Sequence, residues 1–242
     1  MNLKILTMLL SAILVTAVTG ITANGQLASA GGATTNTEDK FDRHDFPNSL
    51  NIDNKYFPLK PGTTFTYQGT KDGERASDKF VVTDKTKVIL GVTTRVVHDT
   101  AYLNGKVSEV TDDWFAQDED GNVWYLGEFT TEVETGSHEG SWQAGVNGAK
   151  PGIIMKAQPK VGDSYYQEFL RGVAEDQARV VKTNASVCVP YGCFNNVLVT
   201  EDFTALDPDV LDHKFYAPGI GEIKEERVQG GSEVIELVNI KK

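Results

Sequence analysis

From residue 63 onward, apolar and polar side chains alternate in short runs, and Gly, Pro, Asn or Asp breaks the pattern between them. Thr63–Gln68, Lys79–Leu90, Thr93–Leu103, Lys106–Asp118 and Val123–Glu134 read as strands. Ser164–Leu170, Ala178–Thr183, Ser186–Val189, Phe194–Asp202, His213–Ala217, Gly221–Val228 and Glu233–Ile240 continue the series. Asn104-Gly105 is the strongest short hairpin signal, and Lys71-Asp72-Gly73 and Asp120-Gly121 are further turns. No long stretch keeps a helical period. The pattern predicts an all-β fold: one antiparallel sheet, curled into a half-barrel or barrel so that one face is dry.

Two regions break the pattern. Gly136–Gly162 is glycine-rich, with Trp142 and Ile153-Ile154-Met155 embedded in it, and is expected to fold as a lid over one end of the sheet. At the amino terminus, Lys4 precedes the apolar run Ile5–Val18, and Ala28-Ser29-Ala30 matches the small-residue pattern of a cleavage site. Residues 1–30 therefore read as an export signal, with an uncleaved anchor as the alternative. Residues 31–55 read as a flexible leader, and 56–242 as a single β domain. Export places the mature chain outside the cytoplasm. No second apolar run is long enough to insert it stably in a membrane.

The formal net charge of −11 argues against nucleic acid and anionic lipid surfaces as partners. Three Trp, eight Tyr and eleven Phe call for a packed core. Cys188 and Cys193 flank the turn Val189-Pro190-Tyr191-Gly192, which sets them opposite one another across a hairpin. In an oxidising compartment that spacing favours a structural disulfide over a redox dithiol. Nucleophile-elbow, zinc-protease, phosphate-loop and EF-hand patterns are absent. Asp118–Asn122 lacks the ligand spacing of a calcium loop and reads as a turn.

Candidate chemistry depends on register. If both hairpins have two-residue loops, one face carries Val96, His98, Thr100 and Tyr102, then Val107, Glu109, Thr111, Asp113 and Phe115, then Trp124, Leu126 and Glu128. Asp113 then opposes Glu128, with His98 opposite Thr111 and diagonal to Asp113, and Glu168 joins from a later strand. His98, Asp113, Glu128 and Glu168 are the candidate metal ligands, a set suited to a divalent cation. A three-residue turn at Glu119-Asp120-Gly121 would shift the pairing and turn His98 away.

Trp114, Trp124, Trp142, Tyr102 and Phe115 are the candidate lining of a ligand pocket in the concave face. Three functions follow. The preferred one is non-catalytic binding of a small apolar or amphipathic ligand. The second is metal-dependent hydrolysis by the His/carboxylate cluster. The third is an envelope structural or assembly role through a sheet edge.

Val189-Pro190-Tyr191-Gly192-Cys193-Phe194, Tyr216-Ala217-Pro218-Gly219-Ile220-Gly221-Glu222-Ile223-Lys224-Glu225 and Pro61-Gly62-Thr63-Thr64-Phe65-Thr66-Tyr67 form an ordered set. It resembles a group of secreted bacterial and archaeal all-β proteins with V-P-x-G-x-F and Y-A-P-G-x-G-x-[IV]-K-E motifs, similar to lipoprotein-carrier half-barrels. The resemblance implies a curled antiparallel sheet and no catalytic residues. Tyr191 and Cys193 replace small residues of that pattern.

Overall fold

A computed structural model describes residues 40–242; the expected export signal and the first part of the leader lie outside the described residues. The chain forms a short 3-10 turn (Arg43–Asp45) and fourteen strands. These are β1 (Thr64–Lys71), β2 (Glu74–Ile89), β3 (Val92–Leu103), β4 (Lys106–Gln117), β5 (Val123–Glu132), β6 (Trp142–Gln143) and β7 (Lys150–Met155). They continue as β8 (Ser164–Tyr166), β9 (Glu168–Phe169), β10 (Asp176–Val189), β11 (Gly192–Thr204), β12 (Leu211–Ala217), β13 (Gly221–Gln229) and β14 (Glu233–Lys241). All pairings are antiparallel, in the order β8-β10-β11-β12-β13-β14-β1-β2-β3-β4-β5-β7-β9, with β6 beside β5.

The two ends of that order are neighbours in sequence. Tyr166 pairs with Gln177 on β10, and Glu168 pairs with Pro151 on β7. The six residues 164–169 thus join both edges and nearly close the sheet into a barrel, removing long exposed edges among the described residues. Closure needs close backbone approach at Gly152. A Cβ built there would lie 2.2 Å from the Gln167 carbonyl oxygen and 2.6 Å from that of Tyr166.

The hairpins follow the turn chemistry. Asn104 (φ 52°) and Gly105 (φ 78°) take up positive φ at a two-residue turn, and Leu103 pairs with Lys106. Cys188 pairs with Cys193 across the β10–β11 turn and the disulfide is formed.

Two expectations are corrected. The glycine-rich stretch is not a lid: Ile153-Ile154-Met155 is barrel strand β7, paired with β5. Its glycines permit tight turns and the approach at Gly152 instead. The described part of the leader is packed, not free. Phe46 and Ile52 are buried, Asn54 donates to the Gly121 and Lys156 carbonyls, and Gln117 accepts from the Asp53 and Asn54 amides.

Inside, side chains sort by height. Residues 56–59 plug one end, where Phe57 meets Phe115 (5.4 Å between centroids) and Phe80 (6.4 Å), and Phe115 stacks on Tyr125 at 4.9 Å. Toward the other end the inward positions are largely acidic. Among the described residues twelve Asp and Glu are buried, against three Lys and Arg. The hollow expected for a ligand is filled. One gap under the plug measures about 20 Å³ and one near Asp202 and Lys214 about 10 Å³, room for about one water each.

Gly152→Ala forces β7 away from residues 166–167 and is expected to lower unfolding free energy by about 1–3 kcal/mol in urea. Gly192→Ala, whose Cβ would meet only the Phe194 ring at 3.7 Å, is expected to stay within about 0.5 kcal/mol of wild type. Equal effects at the two positions would contradict closure through Gly152.

Candidate functional site

Two β-bulges decide which predicted residues meet. Asp113 does oppose Glu128, as the two-residue register requires, but by a different route. The turn after β4 is longer: Asp118 N–H donates to the Asn122 carbonyl and Gln117 pairs with Val123. An extra residue on β5, where Gly127 has φ 134°, restores the pairing between Phe115 and Asp113. A second bulge, at Ser108 on β4, places His98 opposite Asp112 and not Thr111. All the β3 side chains assigned inward therefore face out; Val97, Asp99 and Ala101 face in and are buried.

His98 Nδ1 lies 2.7 Å from Asp112 Oδ1 on the outer surface, and both side chains are 44% exposed. It is separated by the sheet from Asp113 and Glu128, so the His-containing cluster is not assembled. Among the described residues no group of three or more His, Cys, Asp or Glu is placed to hold a metal ion.

The three carboxyls do come together with others that alternation assigned to the wrong face or left unassigned. Tyr125 Oη lies 2.7 Å from Asp113 Oδ1 and 2.8 Å from Glu128 Oε2. Trp142 Nε1 donates to Glu168 Oε2 at 2.6 Å, and Glu168 faces Asp176 on β10. Asp78 on β2, fully buried, faces Asp99 on β3, and no N–H group reaches either Asp78 oxygen. These six form an arc from β2 to β10. Burial pushes Asp78 up to about 8 and Asp113 up to about 7, reinforced by Glu109 in both cases; Tyr125 opposes the rise at Asp113. Burial likewise raises Asp99, Glu128 and Glu168, each next to another carboxylate.

The opposite wall has cations. Arg227 holds Asp212 through two bonds (2.9 and 3.0 Å), and Lys214 sits 3.6 Å from Asp202 and 3.9 Å from Glu225. Those charges raise Lys214 above the usual lysine range despite its burial.

The candidate pocket aromatics do not share one cavity. Phe115 is core, and Tyr102 lies half-buried on the outer face. Trp114 and Trp142 floor an open groove of about 580 Å³, where the Lys87 ammonium sits 3.2 Å above the Trp114 ring. Trp124 lies in a separate outer cleft of about 280 Å³, its Nε1 donating to Asp118 Oδ2 (2.7 Å). That cleft is walled by Phe41, by Pro151 to Ile153 of β7, and by Tyr165, Tyr166 and Phe169 of the closing segment. Phe41 crosses Trp124 edge-on at 5.5 Å, and Tyr166 crosses Phe169 at 5.2 Å. Lys40 and Lys150 stand on the rim. Tyr166 and Phe169 lie in Ser164–Leu170, which alternation reads as a strand, but alternation gives no sign that they share a cleft with Phe41.

No protein-family model matches the chain, and no curated protein matches it. Among solved structures it is similar to one from Bacteroides fragilis, described provisionally as an exported protein with YmcC-like fold. They share 15% identity, and the match spans 78% of this chain and all of that one, at a TM-score of 0.46. A second, from Parabacteroides distasonis and described provisionally as a lipoprotein, shares 13% identity over 78% of this chain and all of that one, with a TM-score of 0.44. No helix among the described residues is long and apolar enough to cross a membrane.

Tyr125→Phe leaves Asp113 and Glu128 facing without a hydroxyl between them. It is expected to lower stability at neutral pH by about 1–3 kcal/mol, measured by urea unfolding. A neutral effect would show that the hydroxyl does not bridge the pair.

Proposed function

We propose that the protein is an extracytoplasmic, non-catalytic binding protein, and that its ligand sits in the outer aromatic cleft beside the barrel seam. The two gaps inside the barrel are water-sized, and the larger spaces lie on its outer side. The observation that carries the reading is the cleft itself: about 280 Å³, with Trp124, Phe41, Tyr166 and Phe169 presenting ring surface and two lysines at the mouth. Such a lining takes an apolar or ring-shaped body and leaves a polar or anionic end at the rim, which describes a small amphipathic molecule. The volume is at the lower end of small-molecule sites, which favours a short ligand over a long lipid chain. The export-signal pattern of residues 1–30 supports the compartment.

Titration with decanoate or anilinonaphthalene sulfonate, followed by tryptophan fluorescence, is expected to saturate at one site. Phe169→Ala combined with Tyr166→Ala is expected to weaken binding by about tenfold or more, a loss of about 1.4 kcal/mol. Lys87→Ala, in the other groove, is expected to leave it unchanged. Non-saturable binding, or binding indifferent to Phe169 and Tyr166, would exclude this cleft.

A further inference from the structure

The acid arc requires protons for geometric reasons. Tyr125 has one hydroxyl proton and two carboxyl oxygens within hydrogen-bond distance. It can donate to one of them; the other closes the contact only as a carboxylic acid donating to the phenol oxygen. Asp78 and Asp99 face each other in full burial, where two carboxylates would repel without solvent between them. The third pair, Glu168 and Asp176, lies across the seam that shuts the barrel, Glu168 on β9 and Asp176 on β10.

The groups around that third pair leave it dependent on a proton. Trp142 from β6 donates to one Glu168 oxygen (2.6 Å). From β5 comes the carboxyl of Glu128, and from β11 that of Asp202. β7 sets Pro151 opposite Glu168, and its Lys150 lies over the Phe169 ring, 5.5 Å from the centroid. Lys214 from β12 acts on Asp176, and the Thr204 hydroxyl of β11 donates to it. Lys214 therefore faces a seam lined by the carboxyls of Glu168, Asp176, Glu128 and Asp202.

We infer that Glu168 and Asp176 form a proton-operated latch on the barrel seam: a carboxyl proton donated from Glu168 to Asp176 holds residues 164–169 against β10, and its loss releases them. The rest of the arc stores protons of the same kind behind the latch. The neutral form is the stable one here because burial raises both groups, Asp176 to about 7 and Glu168 well above the usual carboxylate range.

The sign follows from linkage. Groups raised in the folded state hold protons that the unfolded chain has already released, so their contribution to stability is fullest below about pH 4 and declines as pH rises through the folded values. Asp113 and Asp176 at about 7 and Asp78 at about 8 place part of that decline around pH 7 to 8, and the more strongly raised Asp99, Glu128 and Glu168 continue it upward. This is the reverse of a protein held by surface ion pairs.

The Gln167 amide reports on the latch, because it donates to the Asp176 carbonyl at 2.8 Å. Its hydrogen-exchange protection, corrected for intrinsic chemistry and measured from about pH 5.5 to about pH 8.5, is expected to fall by up to about tenfold per pH unit for one proton. Amides of β1 and β2 report in the same spectrum that the barrel remains folded. Glu168→Gln, which keeps an acceptor for Trp142 and cannot ionise, is expected to make Gln167 protection independent of pH, and Asp176→Asn, which removes the charge that raises Glu168, to shift the fall to lower pH. Wild-type protection that stays constant or rises with pH overturns the latch, as does an E168Q protein that keeps the wild-type profile. The wild-type profile decides alone if neither variant folds.

Discussion

A sheet that closes on itself must fill its own interior, and what it fills that interior with sets the conditions under which it stays closed. Here one end takes rings, with Phe57 plugging the space between Phe80 and Phe115. The other end takes carboxyl groups in numbers that the buried cations Lys71, Lys214 and Arg227 do not match. The gaps there hold about one water each, too little solvent to screen these charges. On the β11–β14 wall Lys214 and Arg227 compensate; on the β2–β10 arc hydroxyl, indole and shared protons must. Buried ionised groups without partners are among the largest destabilising terms a fold can carry, so the protonation state of this arc bears on the stability of the barrel.

Closure and chemistry meet in one short segment. Residues 164–169 join the two sheet edges, approach β7 at Gly152, and bring Glu168 to Asp176. The same residues turn Tyr166 and Phe169 outward into the aromatic cleft. The seam supplies one wall of the outer cleft and the amino-terminal segment supplies another through Phe41. The seam thus couples the acid interior to the surface through a few backbone hydrogen bonds.

Much of the architecture was legible from alternation and turn chemistry. Asn104-Gly105 set its hairpin, the disulfide between Cys188 and Cys193 followed from their spacing, and an antiparallel curled sheet followed from the run of strands. The register was not legible, because a bulge has no strong sequence mark. Ser108 inverts the faces of β3, which sends His98 outward and brings Asp99 in. Gly127 cancels the longer turn after β4, so the Asp113–Glu128 pairing was reached although the turn length behind it was wrong. Strand β7 was hidden by the glycines around it, and Phe46 and Ile52 carry no period that separates a packed strap from a free leader. Of the site, the carboxyls Asp113, Glu128 and Glu168 were visible as an inward polar set; Tyr125, which bridges two of them, is turned inward by the longer turn after β4, and the bulge at Gly127 brings Glu128 back beside it.

The central claim is that carboxyl groups inside the folded barrel carry protons near neutral pH. Infrared absorption in heavy water distinguishes carboxylic acid from carboxylate directly. Folded protein at neutral pH is predicted to show a carboxylic-acid carbonyl band that disappears on unfolding in urea and weakens in Asp78→Asn and Glu168→Gln variants. A folded protein whose Asp and Glu side chains all absorb as carboxylates at neutral pH would contradict the account.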